Sequence, residues 1–480
     1  MMADTTGSEE AALMASRPMR ANRRDTRLVH LALWSVLVLL ANALGAVVLQ
    51  ADAGAAPAPI SGTGSYFAGP AIDSWVTTTT NAPYDLSVSF GPSNSGIGRY
   101  EFTNQQTDFA VTDIGYAGTT DTTPPSFPFD YVPIVGEGVA YYYNIPGLTQ
   151  QLKLTSYTAC AILTGGITNW DDPALAAINP GVTLPNLAII PVTQSASDVT
   201  NVAMEQWCIA EQPSLWAAFV NAQETQAGGP TDGVQLSPTT AYPNWPGIKG
   251  GLDDQSTVAV AGDVEVDPGA IGAVQPLFAL DDGVPGPARN VALVENASGD
   301  FTAPTSIDVT SALAYATPQD NGYQNLNFNG LGPNVYNPST FSYLLTPTTG
   351  WSLAKGQTLS AFVNYALTLG QQAAPSFGYA TLGQLLEHFG INEVASDVPG
   401  AVPMTAAEQA YYNCGDLTPA DVAAGNTTPS CESSPGNGLP EAPYAVAFPV
   451  LALGALGGVF MMRRRRRLNR VLKGHSISEN

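Results

Sequence analysis

Two charge-free apolar runs, residues 31–49 and 444–462, each lie against a cluster of arginines and divide the chain into two short ends and one long middle. Of the 17 basic residues, five (Arg17, Arg20, Arg23, Arg24, Arg27) precede the first run. Seven more follow the second: five consecutive arginines at 463–467, then Arg470 and Lys473. A run of 19 residues such as 444–462 spans roughly 28 Å as a helix, about the thickness of a bilayer's hydrocarbon core. Positive flanks favour the cytoplasmic side, so 1–30 and 463–480 are expected to be cytoplasmic basic segments, with 54–443 outside the cell membrane. The first run ends near Ala51-Asp52-Ala53, an A-x-A pattern, so 31–53 reads as a signal peptide or an uncleaved signal anchor. Residues 444–462 read as a C-terminal transmembrane helix.

The middle keeps only Arg99, Lys153, Lys249, Arg289 and Lys355 against 35 acidic residues. Such a surface repels nucleic acid and anionic membranes, so no polynucleotide partner is expected. His388 is the only histidine of this region, which leaves no second imidazole for a zinc site or a histidine-based triad. Its context, LLEHFG, suits a surface or helix-end role. Adjacent acids at Asp171-Asp172, Asp253-Asp254 and Asp281-Asp282 read as solvated turns. No catalytic residue, cofactor or metal is assigned, and the chain is not expected to be an enzyme. In an exported domain the four cysteines read as two disulfides, Cys160 with Cys208 and Cys414 with Cys431. The second would close a Thr/Pro/Gly-rich loop and contribute about 3 kcal/mol.

Between the apolar runs, alternating segments interleave with helical ones, which implies α/β architecture. YDLSVSF (84–90), 129–145, LAIIPVT (187–193) and STFSYLLT (339–346) read as strands. PALAAI (173–178), 201–212, 358–372 and 381–390 read as helices. At ISGTGSYFAGPAIDSWV (60–76) a run of small residues breaks into a helix that buries Ile72 and Trp75. A Gly/Ser loop before a helix leaves backbone N–H groups pointing outward, a geometry that suits an anion and also starts many ordinary helices. In the strand Tyr141-Tyr142-Tyr143, alternation implies core packing with one exposed ring, or a stacking platform for a sugar. Residues 414–443, rich in Thr, Ser, Pro and Gly, read as a stalk.

The ordered blocks GTGSYF, VSFGPSNSG, TDFAVTD, VAYYYNIPG, ITNWDDPALAAINPGVTLP, NWPGIKGG and DPGAIGAV resemble phosphate-binding proteins of the PstS type, the substrate-binding subunits of phosphate ABC transporters. The likeness covers 60–280 well and 281–400 more loosely. It implies a two-lobed periplasmic-binding-protein fold of type II over 58–413, with lobe I about 58–143 and 275–413 and lobe II about 144–274. It also implies a ligand cleft between the lobes, a small anion such as phosphate as ligand, and an ABC permease as partner.

In that family the oxyanion is held by loop N–H groups, hydroxyls, one arginine and one aspartate. The resemblance puts Phe67 at the backbone-donor position and Tyr66 where a Thr or Ser is usual, with Ser65 the nearest small hydroxyl. Ser95 falls on the second-loop serine and Asp113 on the aspartate. The fourth loop departs from the family's R-x-D-G-S-G-T, since its counterpart is QSASDVT. Thr200 is kept, Gln194 replaces the arginine, Ala196 replaces its supporting acid, and Asp198 stands where a serine donates. Charge-assisted bonds are worth roughly 1.5–3 kcal/mol, so phosphate should bind about 10- to 150-fold more weakly, or a less charged solute should take its place. Arg99, four residues after Ser95, could reach the cleft as a substitute cation, or could make a surface ion pair.

Two classes of function follow. One is an extracytoplasmic, membrane-anchored solute receptor; the other is a surface protein reusing the fold for adhesion, sensing or display. LPEAP (439–443) resembles a cell-wall sorting signal, but Ala442 and Pro443 replace the Thr and Gly that sortase cleaves between, so wall attachment is not expected.

Overall fold

The computed structural model describes residues 58–117, 123–225, 236–279, 290–412 and 418–426. The segments read as cytoplasmic ends, signal or anchor (31–53) and transmembrane helix (444–462) lie outside them, as do Arg289, Cys414, Cys431 and the LPEAP segment. No helix among the described residues is long and apolar enough to cross a membrane.

The chain begins with strand β1 (Ile60–Ser65), helix α1 (Gly69–Thr79), β2 (Val88–Ser93), α2 (Ser95–Thr103), β3 (Phe109–Thr112) and β4 (Phe129–Gly138). It continues through β5 (Ala140–Tyr143), α3 (Ser156–Leu163), β6 (Ile190–Gln194), α4 (Val199–Glu211), β7 (Leu252–Asp254), α5 (Thr257–Val266) and β8 (Ala270–Val274). It returns with α6 (Ser306–Leu313), β9 (Ser339–Pro347), α7 (Leu353–Ala366) and α8 (Gln384–Asp397). One sheet has the order β2-β1-β3-β9-β4, with β1, β2 and β3 parallel and β9 antiparallel to both β3 and β4. The other has the order β5-β8-β6-β7, parallel except for β5. This is the α/β class expected, and strands feeding helices at their carboxyl ends repeat in both sheets.

Alternation explains the burial. Tyr141 and Tyr143 are buried and Tyr142 is half-buried, so the tyrosine run packs one face into the core. Ile72 and Trp75 are buried as the 60–76 pattern predicts, and the Trp75 indole donates to the Gly370 carbonyl. The buried indoles of Trp170, Trp216 and Trp245 likewise donate to backbone carbonyls, which removes the cost of burying their N–H. Cys160 of α3 is bonded to Cys208 of α4.

Three segments differ from the sequence-based expectation. Residues 140–143, assigned from sequence to the first lobe, pair with β8 in the second sheet, because Val139 takes the chain across. Leu293–Glu295 also stays with the second half, pairing with Lys153–Leu154. The start of the expected stalk is folded: Pro419–Ala423 forms a helix capped by Thr418 and Asp421, and Val422 is buried with Ala312 and Val335.

Candidate functional site

Parallel strands gather their carboxyl ends in one place, and in open α/β sheets ligands bind there. Ser65 is the last residue of β1, Ser95 the first of α2 directly after β2, and Asp113 the first residue after β3. Since β2, β1 and β3 are neighbours, the three side chains meet. Ser65 Oγ donates to Asp113, within 2.6 Å of Oδ1 and 2.7 Å of Oδ2, and Ser95 Oγ donates to Oδ2 at 2.7 Å. A fourth member comes from β9: Ser342 Oγ donates to Asp113 Oδ1 at 2.6 Å. Two glycines permit this approach. Gly64 has φ +123°, and a Cβ there would lie 1.9 Å from the Val111 carbonyl oxygen; one on Gly98 of α2 would lie 2.7 Å from Gly64 Cα.

The second sheet repeats the construction. Gln194 ends β6, Asp198 is the N-cap of α4, and Thr257 opens α5 after the adjacent parallel strand β7. Asp198 Oδ1 accepts from the Thr200 amide at 2.8 Å and the Thr200 hydroxyl at 2.6 Å. Its Oδ2 accepts from Gln194 Nε2 at 3.2 Å and Thr257 Oγ1 at 3.1 Å. The donors at this helix N-terminus, which could face an anion, are thus held by the protein's own carboxylate. Gln194 Oε1 accepts from Thr257, and the Gln194 carbonyl from Asn201.

The two clusters sense each other. Burial raises the Asp113 pKa, the hydroxyls of Ser342, Ser65 and Ser95 pull it down, and the Asp198 charge pushes it up again. Glu137, on β4, is held well above the usual carboxylate range by burial and then by Asp113 and Asp198. Its Oε2 is buried without a hydrogen-bond partner. Beside these groups a cavity of about 330 Å³ opens between the halves, lined by Ile114, Gly115 and Tyr323 on one side and Val202, Gln206 and Thr240 on the other. Neither Asp113 nor Asp198 lines it.

Other expected site residues are placed differently. Phe67 is buried against Tyr379, whose hydroxyl donates to the Phe67 carbonyl, and α1 starts without a side-chain cap. Tyr66 is 69% exposed and makes no hydrogen bond to either cluster. Arg99 is fully buried rather than on the surface: one guanidinium nitrogen donates to Thr112 Oγ1 at 3.0 Å and to the Ile114 carbonyl at 2.8 Å. It therefore braces the loop that carries Asp113, because α2 points it inward under that loop. His388, on α8, bonds the Tyr412 carbonyl. Sequence reasoning missed Ser342, Glu137 and Thr257; the acids Asp130 and Glu137 inside the apolar run 129–145 were the one available signal.

Residues 50–368 match the model of the PBP superfamily domain, and the chain belongs to that superfamily. Within it, the similarity is to PstS-type substrate-binding proteins. The phosphate-binding protein PstS of Xylella fastidiosa is 25% identical over 327 residues, 67% of this chain and 81% of that protein. Phosphate-binding protein PstS 2 of Mycobacterium tuberculosis is 28% identical over 164 residues, 33% of this chain, and the match spans less than half, 44%, of that relative's length. A human phosphate binding apolipoprotein solved by X-ray superposes with TM-score 0.50 at 16% identity, covering 71% of this chain and 97% of its own, which shows a shared fold.

Proposed function

We propose that this chain is an extracytoplasmic solute-binding receptor, tethered through residues 444–462, whose interlobe site takes phosphate weakly and is suited to a less charged solute. One observation carries the reading. Asp198 already engages the Thr200 amide and hydroxyl, the Thr257 hydroxyl and the Gln194 amide, which are the second lobe's donors. An incoming dianion would have to displace a carboxylate it also repels, by up to about 4 kcal/mol at 4 Å with an effective dielectric constant of 20. The buried Glu137 and Asp113 add to that repulsion when ionised. A permease partner follows from the kinship with PstS proteins, and no catalytic role is proposed. Isothermal titration of the purified protein with phosphate at neutral pH is expected to give no submicromolar binding. A submicromolar dissociation constant would overturn the weakened-site reading.

A further inference from the structure

The outer edge of the first sheet carries a second group of acids, Asp130, Glu393 and Asp397. Asp130 sits on the edge strand β4 opposite Thr346, and α8 packs against that strand. Glu393 and Asp397, one helical turn apart at the end of α8, turn carboxylates toward it, and one oxygen from each of the three lies within 4.8 Å of the others. Asp130 is buried, Glu393 half-buried and Asp397 exposed. Asp130 Oδ2 is buried without a hydrogen-bond partner.

As a purely structural arrangement this is unfavourable on three counts. Like charges four residues apart on a helix repel. Both acids sit at the negative end of the helix dipole. A buried oxygen is left unsatisfied, which costs about 1–3 kcal/mol. Burial, then the charges of Asp397 and Glu393, and last a side-chain hydrogen bond with Asp397 push Asp130 up to about 7, and below that pH the shared proton relieves part of the repulsion. A bound cation would answer all of these at once.

We propose that Asp130, Glu393 and Asp397 bind a divalent cation, Ca²⁺ in preference to Mg²⁺, clamping the end of α8 to the sheet edge. Two Ca²⁺–oxygen bonds of about 2.4 Å bridge oxygens as far apart as these, and the all-carboxylate donor set suits a hard cation. The exposed side at Asp397 leaves room for the waters that complete six to eight ligands. Mg²⁺ demands shorter bonds and stricter octahedral geometry than two acids on one helix and one on a strand supply.

The test is thermal unfolding and isothermal titration of the full, chelator-treated protein with CaCl₂, MgCl₂ and NaCl at matched ionic strength. Ca²⁺ is expected to raise the melting temperature progressively, with a dissociation constant of about 10⁻⁴–10⁻³ M, as for extracellular calcium modules. The single variant Asp397→Asn and the double variant Glu393→Gln/Asp397→Asn change exposed or half-buried side chains and should fold. Both are expected to weaken Ca²⁺ binding at least about 10-fold. No Ca²⁺ effect beyond that of matched NaCl, or the full effect retained in the double variant, overturns the site. An equal response to Mg²⁺ overturns the assignment to calcium.

Discussion

Asp198 caps the N-terminus of α4 while, in the proposed site, it stands where the resemblance to PstS proteins implies a hydroxyl, and the two roles conflict. As a cap it satisfies the Thr200 amide, typically worth about 1 kcal/mol to the helix. In the proposed ligand site it removes donors and adds charge. Replacing Gln194 by arginine and Asp198 by serine together (Gln194→Arg/Asp198→Ser) restores the family pattern. Phosphate affinity measured by titration is expected to rise at least 10-fold, from about 1.5–3 kcal/mol for the charge-assisted bond plus the relieved repulsion. Unchanged affinity in a folded double variant would remove the basis for blaming these two residues. Ser65, Ser95 and Asp113 were named from the resemblance to PstS proteins, and the structure brings the three side chains together. Ser342 was not named, since it lies 229 residues from Asp113 and only the insertion of β9 beside β3 brings it there.

At the scale of elements, the alternation of strand and helix was readable because it depends on neighbours a few residues apart. Pro173–Ile178 and the strand Ser339–Pro347 were legible to within a residue; α4 is offset by one or two residues, while α8 starts three residues after the expected bound and ends seven beyond it. The contact of α2 with β1 explains the GTGS opening, because Gly64 and Gly98 let backbone meet backbone. Gly98→Ala places a methyl 2.7 Å from Gly64 Cα and 3.0 Å from the Val111 carbonyl oxygen. It is expected to lower unfolding free energy by about 1–3 kcal/mol in denaturant titration. An unaltered midpoint would show that α2 is free to lift from the sheet. The bond between Cys160 and Cys208 ties α3 to α4 across a sequence separation of 48 residues, a loop whose closure is worth about 4 kcal/mol in the chain-entropy picture.

For the whole molecule, charge and burial act in the same direction. The sequence carries a net charge of −23 at neutral pH, and self-repulsion destabilises a compact acidic chain. Burial holds Asp113, Glu137 and Glu205 above their usual values and Asp308 at about 6. A carboxyl whose folded pKa is raised binds its proton more tightly when native, so stability is fully present below the unfolded value and is lost as pH rises through the folded one. The melting temperature is therefore expected to rise as pH falls from 7 toward about 4, with Asp308 contributing its part around pH 4–6. A melting temperature that drops steadily over that interval would contradict it. Fluorescence-monitored unfolding at constant ionic strength provides the measurement.

By itself the sequence determined the alternating α/β order, because that order is set by local periodicity. The tertiary structure alone decided which polar groups meet. Strand order brings Ser342 to Asp113, turns Arg99 under the Asp113 loop, and points Asp198 back at its own helix. Packing of α8 on β4 sets Glu393 and Asp397 beside Asp130. The meetings of Ser342 with Asp113 and of Glu393 and Asp397 with Asp130 depend on segments more than 200 residues apart, and no spacing along the chain encodes the direction in which a buried carboxylate finally points.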